Sequence, residues 1–115
     1  MSKVVHFEVH GKDGARLRAF YTALFGWKID TNNPMQYGIV SAEQGGIGGG
    51  IAESPTGPMV TFYVAVEEPA KALAQAKALG AKTLMEPHQI PGGPLIAMFA
   101  DPEGNPIGLL KAENR

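Results

Sequence analysis

Apolar and polar residues alternate along residues 4–10, which is the pattern of a half-buried β-strand. One face carries Val5, Phe7 and Val9, and the other carries His6, Glu8 and His10. A helical period follows, with apolar residues at Leu17, Phe20, Tyr21 and Leu24. Asp13 is placed to cap the start of this helix and Gly26 to cap its end. The pattern therefore predicts a strand followed by an amphipathic helix.

Three more short strands are predicted in this half of the chain. They cover residues 27–30, 37–41 and 46–52, and a turn at Glu43-Gln44-Gly45 separates the last two. A segment rich in Pro and Gly, residues 54–58, then interrupts the pattern. The first half is thus predicted to have the order βαβββ.

The same order of elements restarts after the interruption. A strand at 60–66 has Phe62, Val64 and Val66 on one face, with Thr61 and Tyr63 on the other. Pro69 opens a helix that carries Leu73, Ala76 and Leu79, and Gly80 ends it. A short strand at 81–84, a loop at 87–94, a strand at 95–100, a turn at 101–104 and a strand at 105–111 complete the half. Because modules of about 55 residues bury little core alone, we expect a single domain, 1–115, with modules of about 1–57 and 58–115.

Composition narrows the class of protein. Hydrophobic residues make up 44% of the 115, the net charge is −1, and there is no cysteine. This predicts a globular cytoplasmic protein without disulfides or thiolate chemistry, and no surface for nucleic acid or membrane. Small-molecule and protein partners remain.

Two motifs within this layout resemble the vicinal oxygen chelate superfamily, which includes glyoxalases, bleomycin-resistance proteins and extradiol dioxygenases. Residues 16–27, with Phe20-Tyr21 before Phe25-Gly26-Trp27, look like the family's first helix. Residues 99–105 look like its late Asp-Pro-(Asp/Glu)-Gly-Asn turn. The resemblance covers nearly the whole chain. It implies an α+β fold in which two βαβββ modules pair into a curved, cup-like mixed sheet with helices on the outer face.

Family enzymes usually hold a divalent metal in the cup, and the motifs indicate where its ligands would fall. The position on the first strand falls on His6, its counterpart in the second module on Thr61, and the terminal carboxylate on Gly108. On the fourth strand, the matching face offers no ligand because it carries Gly46, Gly48, Gly50 and Ala52. Glu53 lies on the opposite face. One of four expected ligands is retained, so no metal site is predicted.

The resemblance and the strand faces together predict a wall of ligand-binding residues. This wall consists of His6, Glu8, Gly48, Gly50, Thr61 and Tyr63. Glu8 could act as a general base beside His6 or as a hydrogen-bonded carboxylate that lines the site, and we favour the second interpretation. The glycines leave room for a ligand or a close neighbour. His88, on the 87–94 loop, is expected at the surface.

Three functions remain open. The favoured one is a small-molecule-binding protein of the bleomycin-resistance type, with no metal or other cofactor and with an unidentified ligand. The alternative is a divalent-metal-dependent lyase, isomerase or dioxygenase whose rearranged ligands come from His6, Glu8, His10 or Glu53. Alternate strand residues stand about 7 Å apart, which disfavours one ion bound by the first three. The third is an interaction module, and a homodimer is expected in any case.

Overall fold

The elements of the chain repeat one order twice. The computed structural model describes residues 2–33, 37–42 and 46–112, so the turn predicted at 43–45 lies outside them. The elements are β1 (Lys3–Gly11), α1 (Gly14–Phe25), β2 (Ile29–Asp30), β3 (Gly38–Val40), β4 (Gly48–Glu53), β5 (Met59–Val66), α2 (Pro69–Ala78), β6 (Lys82–Gln89), β7 (Leu95–Ala100) and β8 (Pro106–Lys111). The α+β fold of two βαβββ modules is confirmed. The chain divides into an N-terminal unit, residues 6–61, and a C-terminal unit, residues 62–112 with 2–5.

In the N-terminal unit the strand order is β2-β3-β4-β1. Strand β1 runs parallel to β4, whereas β3 is antiparallel to both β2 and β4. His6 lies opposite Gly48, and Glu8 lies opposite Gly50. Since residues paired across strands share a face, His6, Glu8 and His10 define one side of this sheet, the polar face. Phe7, Val9 and Ile51 define the other side, which we call the helix face because α1 packs there.

Helix α1 begins and ends at the predicted caps. The Asp13 carboxylate accepts a hydrogen bond from the Arg16 amide at 3.0 Å, and Gly26 adopts a left-handed conformation with φ 72°. The predicted burial is wrong at Phe20 and Leu24, which are 56% and 59% exposed. The Phe20 ring packs edge to face on Tyr21 of the same helix, with 5.1 Å between centroids, and stays more than half exposed.

In the C-terminal unit the strand order is β5-β8-β7-β6, with β5 and β8 parallel and the other pairs antiparallel. Leu73 of α2 packs with Ala97 and Leu109 to form the centre of its core. Leu79, predicted on the same helix face, is 81% exposed. The helix ends at Ala78, so Leu79 is the capping residue and leaves the buried stripe.

Strand β6 is longer than predicted. It runs to Gln89, so the predicted strand at 81–84 and the start of the predicted 87–94 loop are one strand. His88 pairs with Ile96 and is exposed, on a strand rather than on a loop. Register shifts on either side of Met85 bend the strand. Pro87 is tolerated because β6 is the last strand in the order of this unit.

The predicted turn at 101–104 is held by one side chain. The Asp101 carboxylate accepts hydrogen bonds from the amides of Glu103 and Asn105, each at 2.9 Å. The side-chain amide of Asn105 also donates to it, and these bonds lower the pKa of Asp101. Within the described ranges, neither helix is long and apolar enough to cross a membrane.

Gly108 of β8 is needed for the packing of a neighbouring ring. It lies opposite Tyr63, and a Cβ at this position would overlap the Tyr63 ring. We expect Gly108→Ala to lower the free energy of unfolding by about 2 kcal/mol, as overpacking does, measured by urea denaturation. Gly46→Ala is the control, because its added Cβ meets nothing within 4 Å. Equal effects of the two substitutions would contradict this account.

Candidate functional site

Four polar side chains meet on the polar face of the N-terminal unit. His6, Glu8 and His10 come from alternate positions of β1, and Tyr37 comes from the residue just before β3. We call these four residues the Glu8 cluster. The β1 side chains are partly accessible, with 27% of His6, 14% of Glu8 and 20% of His10 exposed. The cluster is therefore within reach of a ligand.

The hydrogen bonds of the cluster converge on the Glu8 carboxylate. Its Oε1 accepts from His10 Nε2 at 2.7 Å, and its Oε2 accepts from the Tyr37 hydroxyl at 2.9 Å. His6 Nε2 lies 3.1 Å from the same hydroxyl oxygen and 3.5 Å from Glu8 Oε2. One carboxylate thus organises both imidazoles and the phenol.

These contacts assign the protons of the cluster. The Tyr37 hydroxyl has one proton, and it is donated to Glu8, so its oxygen accepts from His6. An ionised carboxylate can only accept, so His10 donates from Nε2. Both imidazoles therefore carry a proton on Nε2.

Glu8 has a perturbed acidity. Its burial would by itself raise the pKa of the carboxyl group. Hydrogen bonds from His6, His10 and Tyr37, together with the charge of His10, outweigh burial and lower the pKa from its ordinary value of 4.5. Glu8 is therefore ionised at neutral pH.

Tyr37 is the member of the cluster that the sequence analysis missed, because the strand predicted at 37–41 made it a strand residue, whereas it precedes β3. The side-chain amide of Asn33 fixes its backbone: Nδ2 donates to the Tyr37 carbonyl at 2.7 Å, and Oδ1 accepts from the Tyr37 amide at 2.9 Å. The phenol lies over Gly50, where a Cβ would overlap its hydroxyl. The one signal in the sequence was Gly50, which lies opposite Glu8 and leaves room for a close neighbour.

The other predicted binding residues have different surroundings. Tyr37 occupies the room that Gly50 was expected to leave for a ligand, whereas Gly48 lies beside Ala42 and the Val40 carbonyl. Thr61 and Tyr63 on β5 are 4% and 5% exposed. Their role in binding stays a prediction.

Glu53, one of the alternative metal ligands, has a structural role. It lies on the helix face, as the alternation predicted, and its Oε1 accepts a hydrogen bond from the Gly14 amide at 3.0 Å. Gly14 is the first residue of α1, where amide protons lack partners within the helix. Glu53 therefore stabilises the helix start and does not join the Glu8 cluster.

The fold family implies a divalent metal, but the described side chains do not fit one. Among residues 2–33, 37–42 and 46–112, no group of three His, Cys, Asp or Glu residues is arranged to hold an ion. Gly108, at the family's carboxylate position, is covered by the Tyr63 ring. The Nε2 atoms of His6 and His10 are engaged in hydrogen bonds within the Glu8 cluster, so neither can bind an ion through Nε2 without breaking its bond.

Comparison with known proteins identifies the class. A model described as a glyoxalase-like domain matches residues 6–110, so the chain belongs to that family. No curated protein matches the sequence. The predicted relationship to the glyoxalase, bleomycin-resistance and dioxygenase superfamily is confirmed.

Solved structures share the fold at low identity. A hypothetical protein from Bacillus halodurans C-125 has a TM-score of 0.73 and 15% identity, covering 99% of this chain and 96% of that one. A glyoxalase/bleomycin resistance protein/dioxygenase superfamily member from Vibrio splendidus 12B01 has a TM-score of 0.65 and 15% identity, covering 97% and 100%. The Mn(II)-bound glyoxalase from Novosphingobium aromaticivorans has a TM-score of 0.66 and 20% identity, covering 96% and 40%. These similarities show the fold and leave the activity open.

The Tyr37 hydroxyl should stabilise the folded protein through Glu8. Tyr37→Phe removes the donor to Glu8 Oε2, and we expect the free energy of unfolding to fall by about 1–2 kcal/mol, measured by urea denaturation. Tyr21→Phe is the matched control, because the hydroxyl of Tyr21 takes part in none of the hydrogen bonds described. A loss in Tyr21→Phe as large as that in Tyr37→Phe would contradict the assigned role.

The ionised Glu8 should also make stability depend on pH. Because its pKa is lower in the folded protein, the unfolded chain binds the proton more readily below the ordinary value of 4.5. The stabilisation from Glu8 is thus present above pH 4.5 and is lost as the pH falls through the lowered pKa. The difference in unfolding free energy between wild type and Glu8→Gln should shrink over this window in urea titrations. Glu86→Gln, at an exposed position of β6, controls for the loss of one carboxylate. If the difference between wild type and Glu8→Gln grows at lower pH, the lowered pKa of Glu8 is contradicted.

Proposed function

We propose that the protein binds a small polar molecule at the Glu8 cluster and does so without a metal. The observation that carries this proposal is a partly accessible carboxylate that accepts hydrogen bonds from His10 and Tyr37, with His6 Nε2 3.5 Å away. Such preorganised polar groups provide orientation and specificity in small-molecule sites. Membership of the glyoxalase-like family, whose superfamily includes bleomycin-resistance proteins, supports a binding role.

The Glu8 carboxylate indicates the class of ligand that would complement the cluster. Glu8 is negative, and a carboxylate can accept about four hydrogen bonds, of which the cluster supplies two at under 3 Å. A ligand with an ammonium, amine or hydroxyl donor therefore complements it. An anionic ligand would meet an ionised carboxylate and is disfavoured.

The lowered pKa favours binding over proton transfer. A general base works best when its pKa lies near the operating pH. The hydrogen bonds from His6, His10 and Tyr37 move Glu8 in the opposite direction and make it a weaker base. Glu8 is therefore better suited to anchoring a donor than to removing a proton.

The imidazole NMR signals offer a direct test. The chain has three histidines, of which His6 and His10 belong to the cluster and His88 is exposed on β6. We expect hydroxylated and amine-bearing compounds from a fragment panel to shift the signals of His6 and His10 and to leave those of His88 unchanged. Glu8→Gln should weaken binding of a cationic hit at least about tenfold, because a charged hydrogen bond contributes about 1.5–3 kcal/mol. Hits that are all anionic, or that bind Glu8→Gln equally well, would contradict the proposal.

Metal content tests the remaining part of the proposal. We expect substoichiometric Zn, Ni, Mn and Fe in protein purified without an affinity tag, as measured by elemental analysis. Near-stoichiometric metal that is lost in His6→Ala would instead support the metal-dependent lyase, isomerase or dioxygenase. Near-stoichiometric metal that is unchanged in His6→Ala would contradict both the metal-free binding protein and the metal-dependent enzyme that uses His6.

We also propose that the protein forms a homodimer and that it lies in the cytoplasm. The dimer rests on the presence of sheet edges that pairing would protect. Light scattering at micromolar concentration checks it, and a monomer would contradict it.

A further inference from the structure

A concave surface lies on the helix face of the N-terminal unit, on the opposite side of the sheet from the Glu8 cluster. It is a cleft of about 530 Å³, which is within the range that small-molecule sites span. Its walls include Phe7, Phe25, Trp27, Lys28, Val40 and Ile47. We call these six residues the aromatic cleft.

The rings of the aromatic cleft are held together by their own packing. The Trp27 ring centroid lies 5.5 Å from that of Phe7 and 5.1 Å from that of Phe25. Tyr21 stacks on Trp27 from the helix, with 5.5 Å between centroids and 17° between ring planes. Since these rings are already arranged, a flat apolar ligand would meet a preformed wall.

Two side chains of this wall are accessible to solvent. Phe25 is 55% exposed and Ile47 is 47% exposed. An aromatic ring placed against Phe25 and Trp27 would remove apolar surface from water and gain ring–ring contact. The apolar part of a ligand therefore has a defined place.

The charge of the aromatic cleft indicates the charge that its ligand carries. Lys28 follows Trp27 directly and is the one charged side chain among the described lining residues. A cationic residue in the lining of an aromatic cleft suits a ligand that joins a flat ring system to a carboxylate or sulfonate. This preference is opposite to that of the Glu8 cluster, where the carboxylate favours donors.

We propose that the aromatic cleft is a second binding site, specific for planar aromatic monoanions. It is independent of the Glu8 cluster, because Phe7 and Glu8 are neighbours on β1 and point to opposite sides of the sheet. The chain can therefore bind a donor-bearing ligand and an aromatic anion on separate faces.

The single tryptophan of the chain lies in this cleft and reports on its occupancy. We expect anilinonaphthalene sulfonate to bind once per chain, quench Trp27 emission and gain fluorescence by energy transfer. Its neutral analogue without the sulfonate, N-phenylnaphthylamine, should bind more weakly. Lys28→Gln should weaken binding of the sulfonate dye about twofold to fivefold at low salt and remove the difference between the dyes. Lys71→Gln, on α2, is the charge control.

A matched pair of substitutions on α1 locates the site. Phe25→Ala should weaken binding of both dyes about threefold to tenfold, because ring–ring contact and apolar burial are lost. Phe20→Ala is the control, since Phe20 is 56% exposed on the same helix but does not line the cleft. Circular dichroism and thermal unfolding confirm that each variant is folded. Equal affinity for the two dyes, or equal losses in the Phe20 and Phe25 variants, would overturn the proposal.

Discussion

Two neighbouring glycines of β4 allow aromatic side chains to approach both faces of the N-terminal sheet closely. A Cβ at Gly49 would overlap the Phe7 ring on the helix face, and a Cβ at Gly50 would overlap the Tyr37 phenol on the polar face. Successive strand residues point to opposite faces, so each glycine makes room for a different site. The aromatic cleft and the Glu8 cluster therefore depend on the same local constraint: each needs a ring to pack against β4 at a position that has no side chain.

Both modules place a glycine opposite a residue of their first strand, but a different ring covers that glycine in each module. Glu8 lies opposite Gly50 on the parallel neighbour strand, and Tyr63 lies opposite Gly108 in the corresponding pair of the C-terminal unit. In the second module the tyrosine ring itself covers the glycine and is 5% exposed. In the first module the ring comes from a loop residue, and the strand position is free to carry a carboxylate. One module thus presents ionisable groups where the other presents a buried ring.

The sequence predicted the features that depend on local order. The strand β1, the Asp13 cap and the left-handed Gly26 are determined by neighbouring residues, and all three are confirmed. The predicted burial is wrong at Val5, which is 37% exposed. The Glu8 cluster was found only in part, because its Tyr37 contact joins residues 29 positions apart. The length of β6 was missed because Pro87 usually ends a strand and is tolerated only near a sheet edge. Both the Tyr37 contact and the length of β6 depend on pairing between residues distant in the sequence, which local patterns do not show.

The proposed binding role depends on Glu8 being an ionised, hydrogen-bonded carboxylate rather than a poised base or a metal ligand. Carboxyl-carbon NMR of the folded protein measures this state directly, by following the Glu8 side-chain signal as the pH is lowered. We expect a titration midpoint below the ordinary value of 4.5, because the hydrogen bonds from His6, His10 and Tyr37 outweigh burial. A midpoint above 4.5 would mean that burial dominates, and it would contradict the account.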